Sequence, residues 1–423
     1  MFRRNHVLWL PCAVLAVAAG SAFAAEPNAA TALKQAFDAA WQRQPEALSQ
    51  QARLDAAAAQ QASAHRWTPE PLALELSTKT DRLNQNLGRD ETVAGITIPL
   101  WLPGERTRTM AVADAQARGA SSRIRAAQLR TAALVREAFW AGERARVDHA
   151  LAVELLGNTQ QMAKDVALRV RAGDMARADQ YQADSAEAGA QVALADATAA
   201  LALAHQRLRA LTGIAPQSPA ANANVVGTAS AEPVSDIPRD ADMALEASHP
   251  ALVELQHTEA VAQREAELAQ VQTRANPELT LTTSRDRGQL DESYQNSITL
   301  GIRIPLGSDS RNLAKRATAQ AEAIEAAANL RMERERLQGE AATARVGLAT
   351  AQTQLQASQQ RALLARALRD LYLKSYRMGE TDLPTRLRTE RDAMDAERQA
   401  ARAAIDLAAA LSNLRQALGL LPH

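Results

Sequence analysis

Residues 169–213 read RVRAGDMARADQYQADSAEAGAQVALADATAALALAHQRLRALTG, and residues 375–419 read SYRMGETDLPTRLRTERDAMDAERQAARAAIDLAAALSNLRQALG. The second stretch is the first displaced by 206 positions without a gap: Arg171 falls on Arg377, Gly173 on Gly379, Leu201 on Leu407, Leu208 on Leu414 and Gly213 on Gly419. Each copy is the end of one helix, a glycine, and a long alanine-rich helix running to a second glycine. A repeat of this length sets the architecture before any local feature does.

The displacement continues upstream. Gly95 falls on Gly301, Ile96 on Ile302, Ile98 on Ile304, Pro99 on Pro305 and Leu100 on Leu306. The chain therefore divides into a first structural repeat over 25–214, a linker over 215–240 rich in Pro, Ala, Asn and Ser, and a second repeat over 241–423. Residues 1–24 read as a secretory signal: Arg3 and Arg4 form the basic region, Val7 to Ala19 the apolar region, and Ala22-Phe23-Ala24 the cleavage site. The apolar run is too short for a membrane-spanning helix.

Within each repeat the hydrophobic period changes twice. A helix over about 31–64, interrupted by Pro45, gives way to strands over about 72–80 and 92–102. In the second half a helix over 242–273 precedes strands over about 278–286 and 294–306. Leu72, Leu74 and Leu76, then Ile96, Ile98 and Leu100, then Ile298, Leu300, Ile302 and Ile304 all recur at period two, which puts them on one face of a sheet. The opposite face carries Glu75, Thr97, Thr299 and Arg303. Strands of about ten residues with one wholly apolar face suit a transmembrane β-barrel, and equally a half-buried soluble sheet. Trp67 and Trp101 sit at one end of the first hairpin, as interfacial aromatics or as core residues.

The strands lead into helices over 105–172, 174–213, 308–377 and 381–419. No proline occurs between Glu105 and Ile214, so the first of these spans about 100 Å at 1.5 Å per residue. Leu407, Leu411, Leu414 and Leu418 follow 4-3-4 spacing, a coiled-coil seam. The apolar seams are narrow, which suits a hollow wall of helices with water on both sides better than a solid bundle.

Composition excludes several classes of function. Without Arg3 and Arg4 there are 46 basic against 48 acidic residues, so the basic excess of a nucleic-acid binder is missing. Cys12 is the one cysteine and lies in the signal, which leaves no disulfide and no thiolate nucleophile. The histidines lack ligand spacing, and no nucleophile elbow or phosphate loop is present. The sequence predicts no enzyme, no cofactor and no metal site.

PLWLPGERTR at 99–108, RAGDMARAD at 171–179, YRMGETDLP at 376–384 and the terminal L-x-x-x-L-x-x-L-x-x-x-LG together resemble the TolC family, the outer-membrane efflux proteins of Gram-negative bacteria. RAGD and LPGER are most similar to its heavy-metal CzcC-type branch. The resemblance implies a mainly α fold with a small β part. Three chains would share a 12-stranded outer-membrane β-barrel in contact with lipid and a periplasmic α-helical barrel. It also implies a homotrimer working with a periplasmic adaptor (a membrane fusion protein) and an inner-membrane RND-type pump. The cargo implied is heavy-metal cations or small toxic compounds, with a duct for type I protein secretion as the alternative, and a periplasmic coiled-coil adaptor as a more distant one.

Gly173 and Gly379 are expected as helix C-caps. By the resemblance, Arg171, Gly173, Asp174, Arg377, Gly379 and Glu380 form adaptor-contacting tips, and Asp179, Tyr376 and Arg388 belong to a gating network. Relatives often carry acidic residues just after the second tip. Here Thr385 and Arg388 hold those places, with Asp370 and Asp382 nearby but off them, so an acidic ring is not expected.

Overall fold

The computed structural model describes residues 29–84, 86–214, 232, 241–306 and 309–422. The signal at 1–24 and all of the linker but Glu232 lie outside the described residues. The order is α1 (Ala29–Gln42), α2 (Pro45–Ala64), β1 (Ala73–Thr80), β2 (Asp90–Pro99), α3 (Glu105–Ala172), α4 (Arg177–Thr212), α5 (Ala241–Ser248), α6 (Pro250–Val271), β3 (Glu278–Arg287), β4 (Gln295–Arg303), α7 (Asp309–Arg377) and α8 (Leu383–Ala417). The two prolines, Pro45 and Pro250, each occupy the first turn of a new helix, so the helices expected over 31–64 and 242–273 are each two.

The four strands form one antiparallel sheet in the order β1-β2-β3-β4. The two halves join at its centre, where β2 pairs with β3 from Asp90↔Arg287 to Pro99↔Glu278. Three of the strands stop short of the apolar alternation, while β3 runs one residue further, to Arg287. Leu72, Leu100 and Ile304 fall just outside β1, β2 and β4, beside Pro71, Pro99 and Pro305, which have no N–H to give to a ladder. At the far end the two hairpin loops are tied together. Leu290 N–H donates to Leu87 O at 3.2 Å, and Tyr294 lies beneath Arg285 and Arg287 with its hydroxyl donating to Asp90.

At the near end the sheet passes into the helices through Leu102-Pro103-Gly104-Glu105. Gly104 takes a left-handed φ of 79°. Glu105 is buried, and its carboxylate accepts from Leu102 N–H, Gln272 Nε2 and Asn276 Nδ2 at 2.8–3.0 Å. A buried carboxylate is tolerable only when so satisfied. Here the donors from the second half weld the two repeats beneath the sheet.

The helices α3 and α7 run 68 and 69 residues. Each folds back on its own partner, α3 on α4 and α7 on α8, while α3 also packs on α8 and α6 on both α3 and α7. Core is concentrated midway along. Leu33, Phe37, Val135, Phe139, Trp140 and Ile405 join α1, α3 and α8, with Phe139 and Trp140 edge to face at 5.2 Å. Leu245, Leu252, Leu337, Leu414 and Leu418 join α5 to α8.

Beside these clusters lies a buried charge network. Arg136 and Arg415 are 1% and 0% exposed, and Glu232 from the linker meets both, at 2.8 and 3.3 Å, while Ser412 donates to the same carboxylate. Desolvation lowers the Arg136 pKa, and its bond to Glu232 opposes that. Removing one partner of a buried pair costs about 3–5 kcal/mol. Glu232→Ala is therefore expected to lower stability by about that amount, read as the thermal midpoint of the purified protein, with Glu232→Asp losing less.

His249, 2% exposed, caps α6 through Nδ1, which accepts from Ala251 N–H. Burial lowers its pKa from 6.5 to about 4, with opposing contributions from Glu333 and Arg336. A histidine held neutral in the fold contributes stability that is complete above pH 6.5 and is lost as the pH falls toward 4. His249→Asn keeps a capping side chain. It is expected to flatten the stability profile over that window, where the native chain loses on the order of 3 kcal/mol, measured by denaturant midpoints from pH 7 to pH 4.

Candidate functional site

Two regions separated by the length of α3 carry the features that a conduit needs. The first is the sheet. Residues paired across an antiparallel ladder share a face. The register aligns Leu74, Ile96, Leu281 and Leu300 in one row, and Ile98, Leu279 and Ile302 in the next. The rows on the other face are Glu75, Gly95, Thr282 and Thr299, then Ala73, Thr97, Thr280 and Gly301. One continuous apolar face thus runs through both halves, and it is bare: Leu74 is 80% exposed, Ile298 78% and Leu300 70%. Its opposite is polar. Leu279 and Leu281 complete the apolar rows from β3. Their alternation with Thr280 and Thr282 was the signal for them, weakened by the threonines and serine that follow. Trp67 stands 91% exposed at the near end of the sheet, and Trp101 Nε1 donates to Arg66 O at 3.4 Å.

The second region is the pair of helix reversals. At the first, Gly173 has φ 82°, its N–H donates to Val170 O, and Asp174 N–H reaches Arg169 O at 2.9 Å. At the second, Gly379 has φ 79°, its N–H donates to Tyr376 O, and Glu380 N–H reaches Ser375 O at 3.0 Å. Both are Schellman caps, which only a residue at ease with positive φ can close. These caps and the extended residues after them delay α4 to Arg177 and α8 to Leu383, later than the repeat alone indicates. Arg171, Asp174, Arg377 and Glu380 are all exposed.

Between the tips sits Tyr376, 5% exposed, in a cluster with Met162, Val166, Ala183 and Leu383. Its hydroxyl donates to Met175 Sδ at 3.5 Å, and its ring has Arg169 on one side at 5.2 Å and Arg386 on another at 4.6 Å. Arg386, and not Arg388, reaches Tyr376. With Leu383 turned inward, residue 386 lies beside it on the helix, whereas residue 388 is rotated away and exposed. Asp179 is engaged at the start of α4, where its carboxylate accepts from Ala176 N–H at 3.2 Å. Thr385 and Asp382 are joined by the corresponding cap on α8, and hydrogen bonds from the Thr385 side chain and backbone hold the Asp382 carboxyl below its usual range. Burial raises the pKa of Glu390, one turn on, against the pull of Arg369 and Arg386. Arg169 and Met175 belong to the other hairpin, and nothing in local sequence tied them to Tyr376.

Among the described residues no helix is long and apolar enough to cross a membrane, and no group of three His, Cys, Asp or Glu side chains could hold a metal ion.

The family described as outer membrane efflux protein matches residues 36–214 and 243–420, one match to each repeat. The chain belongs to the outer membrane efflux protein family. Its fold is TolC-like. A crystal structure of CusC superposes with a TM-score of 0.75 at 18% identity, over 92% of each chain. The outer membrane protein VceC of Vibrio cholerae gives 0.75 at 17% identity over 93% of this chain and 97% of that one. The open state of the MtrE outer membrane channel of Neisseria gonorrhoeae gives 0.72 at 17% identity, over 92% and 89%. Comparison with curated protein sequences gave no match. Members of the outer membrane efflux protein family are passive channels of the Gram-negative outer membrane with a periplasmic helical portion, not enzymes.

A bare apolar face of this kind suits contact with lipid. An arginine there costs about 2–4 kcal/mol near the bilayer midplane and little on the lumen face. Leu281→Arg is expected to cut the amount of folded protein recovered from outer membranes severalfold, while its neighbour Thr282→Arg leaves it near native levels. Equal recovery of the two would contradict the register.

Proposed function

We propose that this chain is the exit duct of a tripartite efflux system, assembled as a homotrimer and joined to a periplasmic adaptor and an inner-membrane RND-type pump. The carrying observation is the unpaired edges of the sheet. β1 and β4 each have one open side, and lipid offers no hydrogen bonds to an open strand. Three copies joined β4 to β1 would close twelve strands and leave no edge. Family membership supports the same assembly. A trimer mass in mild detergent is the expected result, and a monodisperse monomer would refute it.

The tips are the adaptor-facing end in this reading. Two identical Schellman caps, each with an arginine two residues before the glycine and an acid one residue after, stand about 100 Å from the sheet. Capping accounts for the glycines; of the four exposed charges, Arg171 donates back to Ala167 O at 3.2 Å and Glu380 accepts from Ser375 Oγ at 3.5 Å, and all four side chains stay open to a partner. Tyr376, braced by Arg169 and Arg386, is the gating residue of this reading, with Asp179 acting through the start of α4. The cargo proposed is heavy-metal cations or small toxic compounds, on the similarity of the RAGD and LPGER segments to the CzcC-type branch. A strain lacking the gene, challenged with metal salts and with organic toxicants, tests this. The double variant Asp174→Lys, Glu380→Lys is expected to form normal trimers yet fail to restore resistance. Full resistance would place the partner contact elsewhere.

A further inference from the structure

Where α8 ends, α6 begins. The ring of His249 lies against Gly419, so closely that a Cβ on that glycine would come within 2.7 Å of His249 Cδ2. The two shorter helices thus meet end to end, flanked by the long helices α3 and α7, and their junction leaves a cleft of about 1010 Å³. That is at the upper end of the size range of small-molecule sites. Leu129, Leu255 and Leu337 give it an apolar floor. Charge gathers around them: Arg130 pairs with Glu254 at 3.2 Å, and Arg336 pairs with both Glu333 and Glu340. Three carboxylates therefore face two guanidiniums. His249, also in the lining, stays neutral at physiological pH.

The cleft is not a by-product of the repeat. Gly339 and Gly347 of α7 both line it, and a Cβ at either would meet nothing within 4 Å, so packing does not demand glycine at these helix-weakening positions. Displaced by the repeat they fall on Ala133 and Ala141, and Glu340 falls on Leu134. At the equivalent junction of the first half, the guanidinium of Arg43 lies over Gly213. The glycines at 339 and 347 and the carboxylate at 340 belong to the second half alone.

We propose that this cleft is a binding site for a lipophilic organic cation: an apolar body on the leucine floor, with its positive charge against the glutamate surplus at Glu340. The site stands on the cleft alone. Only its use, to hold cargo in passage, rests on the efflux reading, which the resistance assay tests separately.

The test uses the full-length protein in detergent-free amphipol and two probes of one shape and opposite charge, tetraphenylphosphonium and tetraphenylborate, in equilibrium dialysis. Saturable binding of the cation and not of the anion is expected. Gly339→Leu with Gly347→Leu is expected to abolish the saturable component while the unfolding temperature holds or rises, since leucine favours helix and its Cβ meets no atom within 4 Å at either position. That variant also controls for adsorption of either ion to the apolar sheet. Glu340→Gln is expected to weaken the cation about threefold to fivefold, the scale of a partly exposed charge contact. If the double variant fails to fold, Glu340→Gln decides alone. Absent saturable binding, equal binding of both ions, or binding unchanged by the variants would overturn the proposal.

Discussion

Backbone hydrogen bonding at the edges of the sheet is the constraint from which most of the molecule follows. Four antiparallel strands with one bare apolar face satisfy every ladder bond except those on the outer sides of β1 and β4. In water such edges are merely a liability. In lipid they are untenable. A barrel needs more strands than one chain supplies, so the chain is built to be one part of a ring. The central β2–β3 pairing makes its own two halves into neighbours of the kind that separate chains must also become.

The same economy governs the helices. Both repeats use one plan, but the joints between them are made by residues that are not repeated. Glu105 takes its donors from Gln272 and Asn276 in the other half. Glu232 neutralises Arg136 from the first half and Arg415 from the second. Each is a buried carboxylate whose removal strands groups on both sides, so each enforces one arrangement of the halves more than it adds net stability.

Those joints mark the limit of what local sequence carries. The reversals at Gly173 and Gly379, the long helices and the apolar rows of the sheet were all legible, because helix period, strand period and glycine caps are properties of neighbouring residues. Strand ends were overrun at Leu72, Leu100 and Ile304, since the apolar alternation continues into residues beside the prolines, where the ladder has already ended. Glu232 was invisible within a segment without periodicity, because its partners lie 96 and 183 positions away. Tyr376 stood out as a position matching the resemblance, but Arg386 rather than Arg388 serves it, a difference of helix rotation that spacing would have shown and the resemblance did not. Arg169 reaches the ring from the other hairpin, and no pattern along the chain records that.

The distribution of these contacts along α3 and α8 sets where the two long hairpins hold each other. Midway, apolar clusters and the Arg136–Glu232–Arg415 network bind them. Ion pairs border the same cluster, with Arg144–Asp406 at 2.6 Å and Arg402 forked on Asp148 at 2.6 Å. The side chains of both arginines are more than 40% exposed. Pairs of that kind contribute about 0–1 kcal/mol each and weaken further in salt. Near the tips the cluster about Tyr376 joins the hairpins again. The hairpins are thus joined by an extensive core midway and by a tyrosine-centred cluster near the tips. A perturbation that separates Tyr376 from Met175 and Arg169 acts at the joint nearest the tips, far along the helices from the sheet and the mid-helix core.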